Sequence, residues 1–302
     1  YWAYIAERFD RLYTGGNSRR VPTVGNLFDT AVTVAGELRI AQGAGKLPVV
    51  VLMHGSSGVG ATMDPWVRNF NAMGISTFVI DGFSGRGLTT VGPNQGLLGR
   101  LNLILDIYRA LDILAKHPRV DPERIVLMGF SRGGQAALYA SLDRFHKLWN
   151  KSGAQFAAYI PFYPDCSTSY AADTEVAARP IRIFHGTPDD YNPVASCKAY
   201  LGRLQEAKRD VALTEYPDSA HGFDLGLLGL STVRVSANSQ TARNCTLREG
   251  EGGVLMNAAT NAPFAFKDAC IELNPHVGGN PVTAEAARKA VSDFLRTLLK
   301  LG

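Results

Sequence analysis

Between residues 48 and 216 the chain alternates short, nearly unbroken apolar runs with longer segments whose apolar residues recur every three or four positions. The runs at 48–53, 76–80, 125–128, 156–160, 181–184 and 211–216 have the length of strands, and most lack polar alternation, which predicts burial on both faces. Between them, Leu101, Ile104, Leu105, Tyr108, Leu111 and Leu114 fall on one helical face. Asp64–Pro65 and Asn192–Pro193 read as cap and first-turn pairs, and Gly74 as a left-handed stop. A terminal helix is expected from about Ala284, after Thr283, to Leu299.

The first forty residues follow other patterns. Trp2, Ile5, Phe9 and Leu12 have helical spacing, so an amphipathic helix is expected in an extension over residues 1–25. Two short runs, 30–34 and 37–41, flank Ala35 and Gly36 and read as an antiparallel pair. Beyond them, strands alternating with helices imply right-handed crossovers. The expected fold is a single α/β domain over residues 1–302, with a mostly parallel central sheet flanked by helices on both faces. Loops at the carboxyl ends of such strands carry function. Residues 225–281, rich in Gly, Asn and Thr, form an insertion before the terminal helix and are expected to wall a site.

Composition narrows the function. The formal charge is +4, with Lys and Arg scattered among Asp and Glu, so nucleic acid is not an expected partner. No apolar run approaches the roughly 20 residues of a membrane helix, and no membrane partner is expected. The chain opens on Tyr1, and Glu7, Arg8, Asp10 and Arg11 do not suit a signal-peptide core, so any leader is expected to have been removed.

The chemistry concentrates at strand ends. Gly129, Phe130, Ser131, Arg132 and Gly133 spell GxSxG between a predicted strand and a predicted helix, the context in which a serine stands exposed on a sharp turn. A serine hydroxyl needs a base to take its proton and a carboxylate to orient that base, in the chain order Ser, acid, His. Asp189 and Asp190 follow one later strand and His221 the next. Spacing leaves the two aspartates equivalent. The oxyanion of an acyl-transfer intermediate needs two backbone N–H donors. Arg132 is expected to supply one, and the turn from His54 to Gly58 the other, with Ser56 foremost. His54 and His185 read as turn supports, and Arg86 as a brace for its loop through Asp81.

Together these phrases resemble the dienelactone hydrolase-like branch of the α/β-hydrolase superfamily, in its secreted, serine-nucleophile form. They are VVLMHGSSG (50–58), DGFSGRG (81–87), VDPERIVLMGFSRGG (120–134), HGTPDDYNPVASC (185–197) and DSAHGFD (218–224). The resemblance implies the α/β-hydrolase fold, no cofactor, and Asp189 as the acid. Ser131 stands where dienelactone hydrolases in the narrow sense carry cysteine, and no arginine closely follows His221. The expected substrate is accordingly a small-molecule carboxylic ester or lactone, cleaved through an acyl-enzyme. A serine peptidase of this fold and a non-catalytic binding module are the alternatives. Four cysteines without a CxxC pair make a metal site unexpected. Bridges Cys166–Cys197 and Cys245–Cys270 would fit a periplasmic or secreted protein, as in similar secreted chains, whereas free buried thiols would fit the cytoplasm.

Overall fold

The computed structural model describes the backbone of residues 2–9 and the whole of residues 32–301. In chain order the larger elements are β1 (Trp2–Phe9), β2 (Val32–Arg39), β3 (Leu47–Met53), α1 (Asp64–Ala72), β4 (Ser76–Asp81), α2 (Asn102–Leu114) and β5 (Val120–Phe130). They continue with α3 (Arg132–Tyr139), α4 (Asp143–Trp149), β6 (Ala158–Phe162), the short β7 (Thr168–Ser169), β8 (Ile181–Gly186), α5 (Val194–Glu206) and β9 (Val211–Tyr216). The terminal helix, α6, spans Pro281–Leu298.

Eight strands form one sheet in the order β1-β2-β4-β3-β5-β6-β8-β9. β1 pairs antiparallel with β2, and β2 with β4; the remaining six strands run parallel. Period-two alternation explains the unbroken apolar runs. In β3, Val49, Val51 and Met53 enter the core beneath α2, α3, α4 and α5, while Val50 and Leu52 enter the core beneath α1 and α6. Both faces are covered, so every position of the strand is apolar.

Several local expectations are corrected. The segment expected to open as a helix is a strand as far as Phe9, paired in register from Trp2 with Arg39 to Phe9 with Val32. Pairing with a neighbour outweighs helical spacing there; residues 10–25 of the expected extension lie outside the described residues. Where an antiparallel pair was expected over residues 30–41, the described part from Val32 to Arg39 is a single strand, β2. Gly36 does not turn the chain: a Cβ there would lie 2.2 Å from the Phe78 ring, so glycine admits that ring from β4. Asp64 and Asn192 cap nothing through their side chains. The caps are Met63 and Pro193, without side-chain bonds, and α6 is capped by Asn280, whose side chain accepts from Thr283 N.

The insertion carries no long element. Its strands are β10 (Val233–Val235), β11 (Gln240–Thr241), β12 (Leu247–Glu249), β13 (Leu255–Asn257), β14 (Ala262–Pro263), β15 (Glu272–Leu273) and β16 (His276–Gly278). β10 pairs with β16 and β11 with β15, and β12 runs parallel to β7, anchoring the insertion beside the loop after β6.

Candidate active site

β5 ends at Phe130, α3 begins at Arg132, and Ser131 between them holds φ 54° and ψ −116°. A side-chain-bearing residue in that region costs on the order of 1–3 kcal/mol. The neighbours enforce it: Ser131 N donates to Phe162 O at 3.0 Å, and Gln135 N to Ser131 O at 2.7 Å. The motif glycines permit the turn. A Cβ on Gly129 would sit 2.1 Å from Gly133 O, and one on Gly133 would sit 2.3 Å from both Met53 O and His54 O.

His221 follows β9 and presents Nε2 at 2.8 Å from Ser131 Oγ and Nδ1 at 2.8 Å from Asp189 Oδ2. With Nδ1–H donating to the carboxylate, Nε2 is left to accept from the serine hydroxyl. Asp189 is fixed in turn, since its Oδ1 accepts from Tyr191 N at 2.8 Å and Asn192 N at 2.9 Å. The imidazole lies between the rings of Tyr163 and Tyr191, each 4.6 Å away. Gly278 N donates to His221 O at 2.9 Å, which ties the histidine's backbone to β16 of the insertion.

The two aspartates that spacing could not separate face opposite ways. Asp190 accepts from His276 N at 2.8 Å, and its Oδ2 meets His276 Nδ1 at 2.9 Å and Arg243 Nη1 at 3.0 Å. Burial alone would raise its pKa, but the bonds from His276 and the charge of Arg243 bring it below the ordinary carboxylate value. Asp190 therefore clamps the insertion, and Asp189 both bonds the histidine ring and caps its own turn.

His54 and His185 are buried at the ends of β3 and β8, and burial lowers the pKa of each. His54 Nδ1 donates to Gly55 O at 2.8 Å while Nε2 accepts from Gly82 N at 3.0 Å, so a neutral ring joins the turns after β3 and β4. The expected Arg86–Asp81 brace is not formed. Arg86 instead makes a fully buried bidentate pair with Asp106 at 2.6 and 2.8 Å, and Asp81 accepts from Phe83 N and Ser84 N. A paired, buried Arg86 does not face the cavity.

The backbone N–H of Arg132 belongs to the first turn of α3, where helical partners are lacking. The turn carrying Ser56 packs against the serine: a Cβ on Gly55 would lie 3.3 Å from Ser131 Cβ. The Arg132 side chain turns away and is bound by Gln95 Oε1 at 2.6 Å and by the carbonyl of Leu98. Desolvation, with the charge of Arg100 adding to it, brings its pKa down to about 9.

Gln95, which no motif marked, joins these parts. Its Nε2 donates to Ser56 Oγ at 3.0 Å and Tyr191 OH at 3.2 Å, and its backbone N donates to Gln240 Oε1 at 2.9 Å. Asp224 was also unmarked as a partner. It is buried beneath the cavity, accepts from Tyr163 OH at 2.5 Å and Trp66 Nε1 at 3.0 Å, and burial raises its pKa. Pairing of this kind depends on the folded approach of distant segments, so sequence spacing carries no trace of it.

Two cavities open at Ser131. One, of about 560 Å³, runs beneath the insertion past Met63, Phe130, Tyr163, Leu225, Val235 and Val277; the other, of about 40 Å³, is lined by Gln95, Arg100, Arg132, Gln135, Asp165 and Phe266, among others. Cys166–Cys197 and Cys245–Cys270 are disulfide-bonded, with Cα–Cα distances of 4.9 and 5.1 Å, which points to an oxidising compartment. Among the described residues no helix is long and apolar enough to cross a membrane, and no cluster of His, Cys, Asp or Glu could hold a metal ion.

A mostly parallel sheet covered on both faces, with a strained serine between strand and helix, defines the α/β-hydrolase fold. Comparison with known proteins narrows this class. Residues 34–241 match the dienelactone hydrolase family, and the chain belongs to that family of hydrolases. A dienelactone hydrolase-like promiscuous phosphotriesterase from metagenomic libraries superposes with a TM-score of 0.59 at 18% identity, covering 99% of each chain. A thermophilic esterase of Thermogutta terrifontis, solved with propionate, gives a TM-score of 0.51 at 19% identity over 68% of this chain and 84% of its own. A Dictyostelium discoideum protein, acyl-protein thioesterase 1 homolog 2, is 30% identical over 113 residues, 35% of this chain and 47% of that protein. The chain thus spans about half the length of that curated relative.

Proposed function

We propose that the protein is a cofactor-independent serine hydrolase of carboxylic esters, with Ser131 as nucleophile, His221 as general base and acid, and Asp189 as the orienting carboxylate. The observation that carries this reading is the relay of two 2.8 Å contacts from Ser131 Oγ through His221 to Asp189. His221 Nε2 takes the hydroxyl proton as Oγ attacks the carbonyl carbon. The negative charge that forms on the carbonyl oxygen is met by the backbone N–H groups of Arg132 and Ser56. Collapse expels the alcohol, which receives the proton from His221 and leaves an acyl-Ser131 ester. Water, deprotonated by His221, attacks that ester, and His221 returns the proton to Ser131 Oγ as the acid leaves.

The chemistry asks nothing of a metal or cofactor, and an oxidising compartment, periplasmic or extracellular, suits the two bridges. Labelling with a fluorophosphonate and turnover of short-chain aryl esters test the reading. Ser131→Ala is expected to abolish labelling and lower kcat by at least about 10⁴-fold. Undiminished ester turnover by that variant would overturn it.

A further inference from the structure

The two cavities at Ser131 differ in size and in chemistry. The larger one, of about 560 Å³, falls within the roughly 300–1,000 Å³ of a typical small-molecule site. Met63, Phe130, Leu225, Val235 and Val277 give it a stretch of apolar wall, beside hydroxyl side chains, Asp224 and Arg234, and a hydrocarbon arm laid along that stretch leaves water. The smaller one, of about 40 Å³, offers only a small fraction of that space. Its lining is ionic. Arg100 pairs with Asp165 at 2.7 Å, while Arg132, also in the lining, is buried against Gln95 and Leu98 oxygens and, among the described residues, has no carboxylate partner. An apolar group pushed there would strip water from these charged groups without offering them a hydrogen bond.

We infer that the substrate is an open-chain ester with unequal arms, one long and apolar in the larger cavity and one short and hydrogen-bond-accepting beside Arg132. This rests on the serine-hydrolase reading above. Ser131 lies at the junction because it lines both cavities, so the two sides of the scissile bond point into different chemistry. A small lactone joins its two arms in one ring. It cannot send a long arm one way and a short one the other, so it leaves the larger cavity unfilled and is a poor substrate.

The insertion sets both limits. Val235 of β10 and Val277 of β16 form one wall of the larger cavity, whereas Gln240 and Phe266 close the smaller one. Phe266 also stacks near the Arg100 guanidinium, 5.7 Å from its ring centre.

The test measures kcat/KM on two ester series, one lengthening the acyl chain from two to eight carbons on a constant ethyl alcohol, the other lengthening the alcohol on a constant acetyl group. One series is expected to rise at least tenfold with length and the other to fall at least tenfold. Within the falling series, replacing a methylene by an ether oxygen at equal length is expected to restore several-fold. γ-Butyrolactone is expected to fall below the best open-chain ester by at least a hundredfold. Val235→Trp, at an exposed position, should cut turnover of the longest favoured ester at least tenfold more than that of ethyl acetate. Phe266→Ala should relax the limit in the falling series. Two flat series, two series of the same slope, or a lactone equal to the best ester would overturn the inference. Turnover that persists undiminished in Ser131→Ala would overturn the serine-hydrolase reading and not the cavity assignment, so the two series are compared on the Ser131-dependent part of the rate.

Discussion

The sheet and the insertion hold their shares of the site by different means. Ser131, Asp189 and His221 follow β5, β8 and β9, whose ladder bonds and two buried apolar layers fix their ends. The insertion has a buried apolar cluster of only Ala242, Cys245 and Leu247. It is fastened instead by polar clamps: Arg243 and His276 on Asp190, Thr241 Oγ1 on Tyr191 O at 2.6 Å, and Arg144 Nη2 on Glu249 at 2.8 Å. A frame held by packing keeps reacting atoms in place, whereas a wall held by local contacts can change its lining without moving them. Chemistry should therefore belong to the sheet and selectivity to the insertion.

The sharpest way to break that contrast uses the adjacent aspartates, because one serves each region. Asp189→Asn is expected to lower kcat about 10⁴-fold by presenting His221 with the wrong hydrogen-bonding partner. Asp190→Asn should lower kcat less than about tenfold and show its effect in KM, as the clamp on Arg243 and His276 weakens. Steady-state kinetics on a short ester measures both. Equal losses in kcat would mean that the insertion helps to position the reacting groups.

The same contrast explains what the sequence reveals. Buried strands announce themselves because both faces of β3 and β5 must be apolar, and GxSxG is legible because Gly129 and Gly133 have no room for a Cβ. The relay of Ser131, His221 and Asp189 could be read as three strand ends in a fixed order, with family resemblance needed to choose between the aspartates. Their catalytic roles are the proposal made above. Where one partner came from outside the local pattern, reading failed: β1 looked helical because its pairing with β2 leaves no mark in its own spacing. Arg86 was matched to nearby Asp81, although Asp106 on α2 supplies both carboxylate oxygens. Gln95 had no motif at all.

The disulfides sharpen the comparison on the scale of stability. Their sequence separations of 31 and 25 residues give nearly equal chain-entropy contributions, about 3.5 kcal/mol each as an upper figure. Their surroundings differ. Cys166 and Cys197 belong to the core under the sheet, so replacing both by Ala should lower the midpoint of global thermal unfolding. Cys245 and Cys270 tie the insertion to itself, so the corresponding double variant should open that segment first. Limited proteolysis should then cut between residues 225 and 281 while the sheet persists. Identical midpoints and cleavage patterns for the two variants would show that the insertion unfolds with the sheet.

The smallest expected effect concerns the side chain that joins the two regions. Gln95 Oε1 accepts from Arg132, its Nε2 reaches Ser56 Oγ and Tyr191 OH, and its backbone meets Gln240 of the insertion. Gln95→Leu removes those side-chain bonds at nearly constant volume and leaves the Arg132 guanidinium short of an acceptor. The Ser56 turn and the Tyr191 ring against His221 would lose their common tether, and kcat should fall about tenfold with little change in KM. Gln95→Glu discriminates positioning from mere filling. A carboxylate still accepts from Arg132, and the hydroxyls of Ser56 and Tyr191 can rotate to donate to it, so activity should return to within about threefold of the parent. If Leu is tolerated as well as Glu, the tether has no catalytic consequence, and the turn after β3 must be held by His54 and its own backbone bonds alone.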